Sequence, residues 1–145
     1  MKILVDSREQ RPYSFARFNV ETQAATLRTG DYSVVPLHHG DDAIAIERKS
    51  LDDLVGCCCR GRERFERELA RGAMLRRFFV VVEASVDDIL GGRYTSRMNP
   101  KAVLASVNAF TVRYNVPFIF SGSRESAEWI VCDMLSRHLA HFLPY

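Results

Sequence analysis

Residues 78–84, FFVVVEA, form an apolar run rich in valine. A strand with one wet face alternates apolar and polar side chains, so a continuous Val-rich run asks to be covered on both faces. The chain therefore needs a sheet with helices packed against it, and it carries suitable helices. GRERFERELARGAML (61–75) is helical by composition, with Phe65, Leu69 and Met74 or Leu75 on one face. Asn99-Pro100 supplies an N-cap and first position for a helix whose Val103, Leu104, Val107, Phe110 and Tyr114 recur at helical spacing. From Ser123 onward Ala127, Ile130, Val131, Met134, Leu135, Leu139 and Phe142 keep the same period. These stripes read as core or subunit interface. KILVD (2–6), FNVETQ (18–23), YSVVPL (32–37), AIAIE (43–47) and VPFIFS (116–121) read as further strands, the middle two flanking HHGDD as a loose hairpin. The expected order is β-β-β-β-α-α-β-α-β-α. An antiparallel opening followed by α/β alternation implies an α/β fold with a mixed central sheet flanked by helices. With 145 residues and no repeat or linker, one domain spanning 1–145 is expected.

Charge narrows the partners. The formal net charge is only +2, but residues 60–77 hold seven arginines against three glutamates. Arg60, Arg62 and Arg64 open that segment. An arginine fork suits phosphate oxygens, so the segment could meet a nucleic-acid backbone. A solvated helix with Arg and Glu paired at i, i+3 and i+4 explains it equally well. No segment approaches a transmembrane span, and MKILVDSREQ meets charge too early for a signal peptide, so a cytoplasmic location is expected. Reduced thiols follow from that. Cys57, Cys58 and Cys59 are adjacent and cannot all face one ion, and no CxxC spacing occurs; small buried side chains near a helix end is the reading. His38-His39 sits in a polar turn, where a solvated pair is the plainer account than a metal site.

The richest stretch is AIAIERKSLDDL (43–54), where a buried strand ends in Glu47-Arg48-Lys49. Side chains at i and i+2 share a strand face, so Glu47 and Lys49 point the same way and Arg48 points oppositely. Ser50 is a plausible N-cap for the next helix, with Asp53 three residues on. Antiparallel pairing brings Gly30-Asp31, at the start of the preceding strand, beside Glu47. Two carboxylates and an amine can then converge. Hard divalent cations such as Mg²⁺ bind through one or two carboxylates and complete their shell with water and phosphate oxygens. An ammonium alongside could orient water or neutralise charge on the phosphate. The kit suits phosphodiester hydrolysis, although an acid followed by Glu-x-Lys also occurs by chance as a surface pair.

GDY (30–32), ERKS (47–50) and Asp53 reproduce the G-D-x(n)-E-R-K-x(3)-D signature of the XPF family of structure-specific endonucleases. VDSRE (5–9) resembles that family's V-D-x-R-E opening, GRERFERE its G-R-x-x-x-Q/E helix, and MNPKAVLASVNAF with the final strand and helix the rest of its nuclease domain. The fifteen residues between Asp31 and Glu47 exceed the family's usual spacing, which HHGDD absorbs in a turn. Arg60 stands where an acid usually precedes the Gly-Arg. The resemblance implies a restriction-endonuclease-like core that cleaves DNA with Mg²⁺ or Mn²⁺, in the compact form of stand-alone phage and bacterial members lacking a helix-hairpin-helix module.

Position by position, the resemblance makes Asp31 and Glu47 metal ligands and Lys49 the catalytic lysine. Arg48 is implied as a phosphate contact, with an ion pair to Asp53 as its structural alternative. Asp53 is divided between catalysis and helix capping. Asp6 is expected on the metal side or one step behind it. Arg8 joins Arg60, Arg62 and Arg64 as a DNA contact, while Arg8 and Glu9 could instead brace the first loop. Two other functional readings stay open: a non-catalytic scaffold that binds DNA or a partner, and a nuclease acting on plain duplex rather than flaps or forks. The apolar surplus of the C-terminal helices, including Trp129, Phe142, Leu143 and Tyr145, together with the family likeness, implies a homodimer.

Overall fold

The computed structural model describes residues 1–35 and 44–142. The HHGDD turn with His38-His39 lies outside the described residues, as do Leu143, Tyr145 and the side chain of Phe142. Six strands and five helices follow in the order β1 (Lys2–Asp6), β2 (Glu21–Ala25), β3 (Tyr32–Val34), β4 (Ile44–Lys49), α1 (Leu51–Cys58), α2 (Arg62–Gly72), β5 (Arg77–Val82), α3 (Val86–Leu90), α4 (Pro100–Tyr114), β6 (Phe118–Phe120) and α5 (Arg124–Phe142). The expected elements are all present. The addition is α3, a single short turn of helix that no 3.6-residue period could register. Its start is nonetheless encoded, since Ser85 and Asp88 form a reciprocal capping box.

The strands form one mixed sheet in the order β2-β1-β3-β4-β5-β6. The opening is not antiparallel throughout: β1 and β2 pair in parallel, and only β3 is antiparallel to its neighbours β1 and β4. With β4, β5 and β6 parallel, five strands run one way and β3 alone runs back. Residues 7–20 carry the β1–β2 crossover without a helix, burying Tyr13 and Phe15 instead. That aromatic plug is why the run starting at Phe18 enters the strand only at Glu21.

Helices cover both faces, as the Val-rich β5 demanded. On one face Ala45, Phe78, Val80 and Val82 meet Leu54, Val55, Phe65, Leu69, Ile89, Val103 and Phe110. On the other, Ile44, Ile46 and Val81 meet Tyr13, Phe15, Tyr32, Ala127, Val131 and Leu135. The period-2 alternation of β4 is thus fixed by core packing at Ile44, Ala45 and Ile46. Glu47 and Lys49 continue the Ala45 face, under α1 and α2, while Arg48 continues the Ile46 face, under α5. A one-residue slip would exchange them. Of the apolar stripes, Val103, Val107 and Phe110 on α4 and Ala127, Val131 and Leu135 on α5 are core, whereas Trp129 is 54% exposed.

Gly30 sets the distance between β3 and β4. Its φ of +82° suits glycine, and an added Cβ would stand 2.9 Å from the Ala45 Cβ. Gly30→Ala should therefore destabilise by about 1–3 kcal/mol. Gly56→Ala on α1, where nothing lies within 4 Å, should stabilise by about 0.5–1 kcal/mol. Urea denaturation of the two variants reads both signs, and equal effects would show that Gly30 carries no close approach.

Candidate active site

Because β1, β4 and β5 run in parallel, their carboxyl ends gather at one edge of the sheet, and β3 begins there. Ligand sites in open α/β sheets favour this edge. Asp31 is tied to β4 by its backbone, which donates to the Ile46 carbonyl at 2.8 Å, and by its Oδ2, which accepts the Arg48 backbone N–H at 2.7 Å. Its carboxyl lies beside Glu47, close enough for each charge to act on the other. Burial, with the Glu9 charge, pushes Asp31 up to about 6. Burial and the adjoining Asp31 charge hold Glu47 well above the carboxylate range. Two buried carboxyls side by side thus each resist ionising.

Lys49 stands on the same face, its Nζ 3.8 Å from Glu47 Oε1 and 5.1 Å above the Phe65 ring. Burial pulls its ammonium down, but Glu47, Cys57 and Glu68 outweigh this and keep it charged. Lys49, Asp53, Arg60, Arg64, Glu68 and Gln10 line a cleft of about 580 Å³. Asp53 is exposed there, and its backbone N–H donates to the capping Ser50 Oγ at 3.2 Å. Arg64 is 83% exposed and lies 3.9 Å from Glu68.

Other expected site residues are engaged elsewhere. Arg48 turns away from the Glu47 face and pairs with acids other than Asp53. Its Nε and Nη2 grip Glu9 at 3.0 and 2.9 Å, and its Nη1 donates to Glu83 at 3.0 Å, with all three side chains at most 7% exposed. Glu83 also accepts from the Tyr13 hydroxyl and from Arg124, so the clamp fastens the 7–20 crossover and α5 to the sheet. Burial raises Glu9, yet Arg48 more than compensates and leaves it below its ordinary value. Asp6 is likewise engaged. It is 5% exposed and accepts from the Leu27 N–H at 2.9 Å and from Arg8 Nε and Nη2 at 3.0 and 3.1 Å. Burial would raise it, but Arg8 and Leu27 hold it low. Asp6 sits one step behind the acidic pair and aims Arg8, whose charge feels Asp31 and Glu47. Arg62 donates to Ser106 Oγ at 2.8 Å and packs 4.7 Å over Phe110, joining α2 to α4 rather than standing open.

Sequence reasoning does not single out Glu83, Glu68 or Tyr13. Glu83 had a signal, since the apolar run FFVVV is followed by an acid as AIAI is. Glu68 had only its place on α2 one turn beyond Phe65. The cysteines are free; Cys58 and Cys132 are buried, Cys59 is exposed and Cys57 lines the cleft.

Among the described residues no three His, Cys, Asp or Glu side chains gather as a metal cluster. The Asp31–Glu47 pair still fits a hard divalent cation, because two mutually repelling buried oxygen donors are relieved by positive charge, and such cations take one or two carboxylates. Among the described residues no helix is long and apolar enough to cross a membrane.

Known proteins with this architecture place it. The ERCC4 domain matches residues 5–132. The fold superposes on XPF from Aeropyrum pernix with a TM-score of 0.74 and 23% identity, covering 99% of this chain and 67% of that one. It also matches XPF from Aeropyrum pernix in complex with DNA, with a TM-score of 0.71 and 24% identity, covering 94% of this chain and 63% of that one. No curated protein sequence matches the chain.

The clamp and the acidic pair make opposite demands on stability. Arg48→Ala strands Glu9 without its hydrogen-bonded cation and leaves Glu83 only Arg124, and should cost about 3–5 kcal/mol, with Arg48→Lys recovering only part because lysine lacks the fork. Chemical denaturation measures both; a loss under 1 kcal/mol would deny the clamp. Asp31 and Glu47 behave inversely, since their folded pKa values exceed the unfolded ones. Their neutral forms suit the fold at low pH, and stability falls as pH rises from the ordinary carboxylate range through about 6 for Asp31 and beyond for Glu47. Metal-free Glu47→Gln should therefore melt about 3 °C above wild type at pH 8, with the gain vanishing near pH 4. Thermal melts in EDTA across that range test it.

Proposed function

The chain belongs to the ERCC4-domain family, and from that premise we propose that it is a metal-dependent DNA endonuclease that hydrolyses phosphodiester bonds at branched, flap or fork DNA. The observation that carries this reading is the buried Asp31–Glu47 pair with Lys49 on the same strand face as Glu47, Lys49 in turn lining a cleft flanked by arginines. Asp31 and Glu47 would hold Mg²⁺ or Mn²⁺. That ion supplies Lewis-acid polarisation of the phosphoryl group and a lowered pKa for attacking water. Lys49, kept charged against Phe65, orients the water and offsets charge growing on the phosphate. Arg8, held by Asp6, and Arg60 and Arg64 on the cleft wall bind flanking phosphates. Asp53 faces the substrate from the same wall while its backbone starts α1. Arg48 acts through the clamp, presenting the strand that carries Glu47 and Lys49.

The half-buried apolar side of α5 and the exposed Trp129 support a homodimer through the C-terminal helices. Purified protein with Mg²⁺ should cut flap or fork DNA faster than duplex or single strand, and EDTA should stop it. Asp31→Ala and Glu47→Ala should abolish cutting, and Lys49→Met should slow it by about 10²–10³-fold. Undiminished cutting by both acid variants would sink the assignment, and equal rates on duplex would move the substrate to plain DNA. Light scattering of the same sample at micromolar concentration should give twice the chain mass.

A further inference from the structure

The arginines of the 60–77 segment divide by what they touch. Arg62 is built into the α2–α4 contact, and Arg64 lies near Glu68. Arg67 meets Glu63 at only 3.6 Å, with side chains 62% and 90% exposed, a solvent-screened pair that gives way cheaply. Arg60 is exposed and has no ion pair or hydrogen bond among the described residues. Standing between α1 and α2, it lines two depressions at once. One is the cleft holding Lys49; the other is a groove of about 600 Å³ beyond α2, walled by Arg60, Arg67 and Tyr114 among others.

The chemistry of the groove is that of a strand-binding surface. Glu66 on its floor is already satisfied by Arg113 and the Tyr114 hydroxyl, so its charge does not cancel Arg60 and Arg67. The half-buried Tyr114 ring offers an aromatic face beside them. Arginines that follow a backbone together with an aromatic that stacks a base are the parts of a single-strand site. A volume in the range of small-ligand pockets suits roughly one or two nucleotides and no double helix.

We propose that this groove holds an unpaired DNA strand, with phosphates on Arg60 and Arg67 and a base against Tyr114, and that Arg60 is the pivot over which the strand enters the Lys49 cleft. The proposal rests on the nuclease reading and says where on this chain the unpaired arm of such a substrate would lie.

The test measures binding of fluorescein-labelled (dT)₁₂ and of a blunt 12-base-pair duplex by anisotropy in EDTA, using the full chain. Arg67→Glu should weaken (dT)₁₂ several-fold and reduce the slope of log K against log[salt] by about 0.7, while duplex affinity stays within twofold. Tyr114→Leu should cost about tenfold on (dT)₁₂, and Tyr114→Phe should keep most of the binding because the ring remains and Arg113 still holds Glu66. Thermal melts of each variant verify the fold. Unchanged (dT)₁₂ binding, or an equal loss on duplex, overturns the groove. Cleavage of a flap by wild type is scored apart. Cutting without a selective binding loss defeats the groove alone, and a selective loss without cutting by wild type defeats the nuclease reading alone.

Discussion

Charge is buried at the end of β4 on both sides of one strand, and the two sides are balanced differently. On the α5 side Arg48 is gripped by Glu9 and Glu83, with Arg124 adding a second cation. Buried charge is tolerated there because every formal charge meets its opposite within hydrogen-bond distance. On the α1–α2 side Asp31 and Glu47 lie side by side, Lys49 supplies a cation on the same face, and Arg8 is already committed to Asp6. That side carries one negative charge too many once both acids ionise. The core residues Ile44, Ala45 and Ile46 decide which charges go where, and the carboxyl edge of the sheet depends on that sorting.

Much of this sorting is legible in the sequence. Strand periodicity alone puts Glu47 and Lys49 on one face and Arg48 on the other, and the Val-rich run around residue 80 requires helices on both faces. The GD and ERK motifs announce which strands meet, and Gly30 shows the reason: only a residue without a Cβ lets Asp31 come so close to β4. What stays hidden depends on distant partners. No local pattern tells that Arg48 will find Glu9 and Glu83, thirty-nine and thirty-five residues away, or that Asp6 will turn to Leu27 and Arg8. The parallel pairing of β1 with β2 is also invisible, because the crossover is an irregular segment rather than a helix.

The single reversed strand explains how a chain with five parallel strands gathers its acids. Had β3 run with the others, Asp31 would begin at the opposite edge. Reversal places the start of β3 against the finish of β4, so Asp31 accepts the backbone N–H of Arg48, seventeen residues on. Lys49, at the end of β4, then meets the cleft that α1 and α2 wall.

One consequence of burying Asp31 beside Glu47 reaches beyond the fold. Both carboxyls are held toward their protonated forms, so a divalent cation that took them would compete with acid for the same oxygens. Occupancy would then be a function of two concentrations, pH and free cation, and mildly acidic surroundings would work against any cation at that site.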